Sequence, residues 1–256
     1  LSKNHLKGKV EFKKVNFAYD DENYILHDLD FTIQPGQTMA LVGSTGSGKS
    51  TIINIMNRFY DIQKGQILLD DVDIRDYELN SLRKRIAIVL QDVFLFDGTV
   101  YENITLKDTT ISLEKVVEAA KIIGADEYIS RLPDGYQFMV TERGSNLSVG
   151  QRQLISFVRA LVIDPDILIL DEATSSIDTE TELVIQHAIE KLIEKRSSII
   201  IAHRLSTIRH ADFILVMDQG KAVESGSHDE LIEKANGRYK ELYDMQYASL
   251  ASSSEL

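Results

Sequence analysis

Cysteine is absent from the 256 residues, so no disulfide framework and no cysteine-built zinc site is available. That absence suits a reducing cytosol. Long apolar runs are absent as well: the longest spans about five residues, far short of the roughly twenty needed to cross a bilayer. Positive charge is in short supply, with 28 Lys and Arg against 40 Asp and Glu, for a formal net charge of −12. This balance argues against nucleic acid or an anionic membrane surface as the main partner. No signal peptide, internal repeat or long low-complexity tract is evident, and the opening at Leu1 instead of Met reads as a piece of something longer. The remaining composition, 43% hydrophobic and 27% charged, is that of an ordinary soluble globular chain. Its length suits one large domain or two closely packed lobes.

One stretch organises the rest: Gly43-Ser44-Thr45-Gly46-Ser47-Gly48-Lys49-Ser50-Thr51. It matches G-x-x-x-x-G-K-[ST], the phosphate-binding loop. Gly46 and Gly48 let the backbone turn its N–H groups inward and approach a polyphosphate, which a Cβ would obstruct. Lys49 supplies a point charge for the β- and γ-phosphates, and the Ser50 hydroxyl is placed for Mg²⁺. A chance Gly/Ser-rich turn is the alternative, and the flanks argue against it. Residues 38–42 read as a buried strand entering the loop, while Ile52, Ile53, Ile55, Met56 and Phe59 read as the apolar face of a helix leaving it. That helix points its positive end at the place where an anion would sit. Nucleotide binding follows.

Before the loop, residues 10–12, 15–19 and 29–33 read as short strands, with turns at 20–23 and 34–37, so an antiparallel sheet is expected there. Tyr19 ends one of those strands and suits either a core aromatic or a flat surface for a purine. Beyond the loop helix, 66–69 reads as a strand, 78–85 as a charged helix, and 86–90 as a strand buried on both faces that ends at Gln91-Asp92. Residues 99–131 are helical in pattern, a turn follows at 132–136, and Leu154, Ile155, Val158, Leu161 and Val162 mark a further helix stopped near Asp164-Pro165. This block, about 93–163, reads as a lobe inserted into an α/β core. Residues 167–171 form a second buried strand ending in Asp171, where a phosphate-loop fold places its Mg²⁺ carboxylate, and Glu172 follows. A helix over 179–195, strands over 198–202 and 213–217, His203, and helices from His228 and Arg238 complete a domain over 1–248. Residues 249–256 read as a flexible tail.

By Glu172 these residues resemble the ATP-binding cassette ATPases, specifically the nucleotide-binding domains of exporters, over nearly the whole chain. The resemblance implies an α/β fold. Its parts are a P-loop NTPase core with a mixed, largely parallel sheet, an N-terminal antiparallel β subdomain and an inserted α-helical signature subdomain. It places Tyr19 at the adenine-stacking aromatic, 43–51 at the phosphate loop, and Gln91 at the glutamine that touches Mg²⁺ and relays to the membrane domain. Leu147-Ser148-Val149-Gly150-Gln151 resembles the family signature, and it implies that Ser148, Gly150 and Gln151 contact ATP held by the opposite subunit. Asp171 and Glu172 correspond to the metal carboxylate and the catalytic glutamate. Ser175-Ser176-Ile177-Asp178 resembles the loop that crosses the dimer, and His203 the switch histidine. Thr141-Glu142-Arg143-Gly144-Ser145-Asn146 looks like a short acidic segment found in exporters and not in importers.

What this implies is ATP hydrolysis with Mg²⁺, catalysed by Glu172, His203, Lys49 and Gln91, in a head-to-tail dimer with two ATP molecules sandwiched. A transmembrane domain preceding Leu1 would complete the transporter at the cytoplasmic face of the cell membrane. The family usually has glycine where Val149 stands. Either a homodimer tolerates the variant, or it marks a heterodimeric exporter with one weakened site. Two other functional classes remain to be weighed. A soluble family ATPase acting on DNA or ribosomes would carry long coiled coils or tandem cassettes, and this chain has neither. A non-hydrolysing regulatory module would not need Glu172 and His203.

Overall fold

The computed structural model describes residues 5–20, 22–171, 178–202 and 205–253. Among the described residues two main sheets share one apolar cluster. The smaller has the order β2-β1-β4-β5 and is built from β1 (Val10–Ala18), β2 (Tyr24–Ile33), β4 (Lys64–Leu69) and β5 (Val72–Asp73). Its strands pair antiparallel, Val10 opposite Ile33 and Phe12 opposite Phe31. The segments expected at 10–12 and 15–19 are one strand. It bends at Lys14, where φ is +47° and the register slips, and the bulge keeps Phe12, Val15 and Phe17 all buried.

The larger sheet has six strands in the order β12-β11-β3-β10-β9-β6. They are β3 (Thr38–Gly43), β6 (Ile86–Val89), β9 (Ile167–Asp171), β10 (Ser197–Ile201), β11 (Phe213–Asp218) and β12 (Lys221–Gly226). All but β12 run parallel, so their C-terminal ends share one edge. The strand alternation divides the core in two. Met39, Leu41, Ile167, Ile169, Ile199 and Ile201 pack toward the smaller sheet. Ala40, Val42, Leu168, Leu170, Ile200 and Val216 pack toward helices on the other side. Both faces are therefore covered, and the strands read as continuous apolar runs for that reason.

Helix α1 (Lys49–Met56) follows β3, and α2 (Leu79–Arg85) precedes β6 with its N-terminus capped by Glu78. Between β6 and β9 lie α3 (Val100–Thr105), α4 (Leu113–Ile122), α5 (Asp126–Ser130) and α6 (Val149–Ile163), with β7 (Gly98–Thr99) paired to β8 (Met139–Val140). The helical pattern at 99–131 is thus interrupted: Leu106, Lys107 and Gly124 take positive φ, and Thr99 and Ser112 cap fresh helices. The chain closes with α7 (Thr179–Ile193), α8 (Leu205–His210), α9 (His228–Glu233) and α10 (Arg238–Ser253). Helical backbone in α10 runs to Ser253. Phe59 lies beyond the end of α1 and is exposed, as is Leu90 beyond β6, so neither extends its element's buried face.

Candidate functional site

The turn from β3 into α1 is shaped by glycines at positions where other residues would collide. A Cβ on Gly43 would lie 2.3 Å from the Met217 carbonyl oxygen. Gly48 has φ +104°, and a Cβ there would meet Leu26 Cδ2 at 2.7 Å. Gly48 is the N-cap of α1 and supplies no side-chain hydrogen bond, and no acidic residue stands in the first turn. The first N–H groups of the helix and its positive dipole end are thus left for a ligand that supplies negative charge. Ser47 is buried, and its Oγ has no hydrogen-bond partner among the described residues.

Lys49 folds back across this loop. Its ammonium donates to the carbonyl oxygens of Gly43 (2.7 Å) and Ser44 (2.9 Å). Burial holds its pKa below the ordinary lysine value, and the negative charge of Asp171 works in the opposite direction.

The parallel sheet brings distant residues to this loop. Asp171 ends β9 opposite Ile201 of β10, which in turn lies opposite Leu41 of β3. Gln91 sits just past β6, the strand on the far side of β9. A cleft of about 430 Å³ at this edge is lined by Thr45, Gly46, Gly48, Lys49, Ser50, Thr51, Gln91 and Asp171, with Ile25 and Ile201 as apolar walls. Ser50, Gln91 and Asp171 offer a hydroxyl, an amide oxygen and one carboxylate. That hard oxygen set fits Mg²⁺, which keeps waters and takes phosphate oxygens as further ligands. Among the described residues no group of three or more His, Cys, Asp or Glu forms a metal cage. A shared protein–phosphate Mg²⁺ site needs none.

Tyr19 stands beside α1, 45% exposed, with its hydroxyl hydrogen-bonded to Thr51 and Asn54 on that helix. Ile25, Asn54 and Ile201 escaped the sequence reading. Asn54 alone left a trace, a polar residue within the run of isoleucines that forms α1.

Ser148, Gly150 and Gln151 line no part of this cleft. Ser148 is the N-cap of α6. The Gln151 N–H donates to Ser148 Oγ at 3.1 Å, and the Ser148 N–H donates to Gln151 Oε1 at 2.9 Å, a reciprocal capping box. Arg152 steadies the preceding turn by donating to the Leu147 carbonyl (2.7 Å). Val149 opens the helix and is 44% exposed, while Gly150 is buried. Asp178 caps α7 by accepting from the Thr181 N–H at 2.9 Å. Glu172, His203 and the expected dimer-crossing residues 175–177 lie outside the described residues.

Known proteins resemble this chain over most of its length. Residues 26–175 match the family profile described as ABC transporter. The "Uncharacterized ABC transporter ATP-binding protein YknV" of Bacillus subtilis (strain 168) is 52% identical over 95% of this chain and 40% of its own length. The "ATP-dependent lipid A-core flippase" of Haemophilus influenzae (strain 86-028NP) is 49% identical over 94% of this chain and 41% of its own. A solved structure described as "Structure of a bacterial Atm1-family ABC exporter with ATP bound" superposes with a TM-score of 0.87 at 43% identity, over 96% of this chain and 42% of that one. The chain spans about two fifths of the length of the curated relatives it matches.

Proposed function

This chain belongs to the ABC transporter family, and from that premise we propose that it is the ATP-binding and ATP-hydrolysing unit of an exporter. The observation that carries the reading is one cleft in which Lys49, Ser50, Gln91 and Asp171 meet an uncapped helix N-terminus. Phosphoryl transfer to water needs charge neutralisation and an oriented nucleophile more than covalent chemistry. Lys49 and the loop N–H groups hold the triphosphate. Mg²⁺, held by Ser50, Gln91 and Asp171, would neutralise further charge on the β- and γ-phosphates. Glu172 follows β9 and takes the role of general base or water-orienting group; His203 follows β10 and hydrogen-bonds the γ-phosphate or the attacking water. Both roles rest on the resemblance. Water adds to the γ-phosphorus, the bond to the ADP oxygen breaks, and the water proton passes toward Glu172.

The N-terminus of α6 lies outside its own chain's cleft, which supports a head-to-tail dimer in which Ser148, Gly150 and Gln151 close on the partner's nucleotide. Residues 93–163 would act as the lobe that carries this second surface. Among the described residues no helix is long and apolar enough to cross a membrane, so membrane helices would come from elsewhere in the transporter. The exposed pair Phe94 and Phe96, rings 5.0 Å apart just after Gln91, offers them an apolar contact. ATP-driven closure would then shift those helices at the cytoplasmic face, by binding the closed state better than the open one.

The test is ATPase rate against protein concentration, with Glu172→Gln as the blank. A rate rising with roughly the square of concentration, and lost in the blank, supports self-association into competent sites. A rate equal to the blank at every concentration means that hydrolysis needs a different partner chain or the membrane helices, which adding candidate partner domains separates.

A further inference from the structure

We infer that Asn54 and Thr51 are positioning residues for the nucleobase: they clasp the Tyr19 phenol to α1 and so set the distance between the base platform and the phosphate loop. The inference deepens the nucleotide-binding reading above and rests on it. Tyr19 lies one residue past β1, on the smaller sheet, whereas Lys49 and Ser50 open α1. The platform and the phosphate site therefore belong to different elements, and something must hold their separation.

The Tyr19 hydroxyl accepts a hydrogen bond from Asn54 Nδ2 at 3.0 Å and donates to Thr51 Oγ1 at 3.4 Å. Thr51 and Asn54 are three residues apart on α1 and thus share one side of it. Asn54 is half-buried on a helix where Ile52, Ile53, Ile55 and Met56 are all buried, so its amide has a specific task there. The ring itself is braced separately. Phe17, fully buried, meets it edge to face at 4.8 Å and 85°, and Tyr60 does so at 4.9 Å and 83°. Held at its hydroxyl and against two perpendicular rings, Tyr19 has little orientational freedom left to lose when a base stacks on it. Asn54 touches neither base nor reacting atoms in this role and acts only through Tyr19, whereas Thr51 also lines the phosphate cleft.

A merely structural clasp would disturb every ligand of the loop; a positioning clasp disturbs only ligands that carry a base. The experiment measures calorimetric affinities for Mg-ATP and Mg-tripolyphosphate in the whole chain and in Tyr19→Phe, Asn54→Ala and the double variant. Asn54→Ala should weaken ATP about fivefold, the usual scale for one hydrogen bond, and Tyr19→Phe, which removes two, at least as much. Tripolyphosphate should stay within about twofold, and the double variant should be no worse than Tyr19→Phe, which already removes the bond to Asn54 along with the one to Thr51. Unchanged ATP affinity in both single variants, or equal losses for the two ligands, overturns the inference. A native chain that binds tripolyphosphate as tightly as ATP overturns the base platform and the clasp together, leaving the phosphate loop standing. Binding of neither ligand overturns the nucleotide reading itself.

Discussion

The Lys49 ammonium donates to the carbonyl oxygen of Gly43 at 2.7 Å, joining the last strand residue before the loop to the first residue of the helix after it. Burial depresses the Lys49 pKa, and the negative charge of Asp171 works in the opposite direction. Replacing Lys49 with Ala removes the charge and the brace together. The kcat of Mg-ATP hydrolysis is expected to fall by about a hundredfold or more, the scale for losing one preorganised electrostatic contact. Steady-state phosphate release checks this, with thermal unfolding to show that the fold survives.

Gly220 and Gly36 share a φ of +75° but differ in surroundings. A Cβ on Gly220 would lie 1.9 Å from the Ile25 carbonyl oxygen, while one on Gly36 would meet nothing within 4 Å. Gly36→Ala should cost about 1 kcal/mol from backbone strain alone. Gly220→Ala adds overpacking, for about 2–5 kcal/mol in all. Gly220 also donates its N–H to the Ser47 carbonyl at 3.1 Å, so its displacement should weaken ATP binding as well. Urea unfolding of both variants, with ATP titration, makes the comparison. Equal costs for the two would show that the contact with Ile25 does not matter.

Ser148 caps α6 and, in the proposed dimer, faces the partner's nucleotide. Ser148→Ala should cost about 1 kcal/mol of stability for the lost cap and lose most ATPase activity. Mixing it with Lys49→Ala should restore about a quarter of the native rate, because half of the random dimers then hold one site with both parts intact. No recovery on mixing would argue against the head-to-tail arrangement. Val149→Gly, in the native assembly, should leave the rate within about twofold, since a side chain at the exposed first turn of a helix is sterically tolerated; a large rise would favour a weakened site in a heterodimer.

Tyr239 is fully buried, with its hydroxyl 2.7 Å from His228 Nδ1 and its N–H donated to the Glu224 carboxylate. Burial, with Tyr243 nearby, pushes its pKa up to about 12. The unfolded chain loses this proton near pH 10, so above that pH the folded state binds more protons than the unfolded one. Stability contributed by the neutral phenol is complete below about pH 10 and falls as pH rises toward about 12. Melting temperature measured from pH 8 to 11.5 should decline less steeply in Tyr239→Phe. Parallel slopes would contradict the assignment.

Much of the candidate site was legible because it is written locally. The phosphate loop needs glycine where a Cβ would strike Leu26, and a lysine and hydroxyl at fixed spacing after it. The buried strands announce themselves as apolar runs because both faces of the larger sheet are covered. Asp171 was legible as a strand-ending acid. Less was legible where a break depends on one residue's backbone: Lys14 joins two expected strands through a bulge, and Leu106 and Lys107 divide an expected helical run.

By itself the sequence determined the kind of chemistry, a phosphate-binding turn between strand and helix, because that turn depends on residue types a few positions apart. Only the tertiary structure decided which residues share the cleft. The order β6-β9-β10-β3 delivers Gln91 and Asp171 to Lys49 across parallel pairings far apart in the chain, and no local periodicity encodes strand order. The tertiary structure likewise decided that Asn54 holds Tyr19 and that Ser148 lies outside its own chain's cleft. Both follow from how separate elements pack, which short-range pattern leaves open.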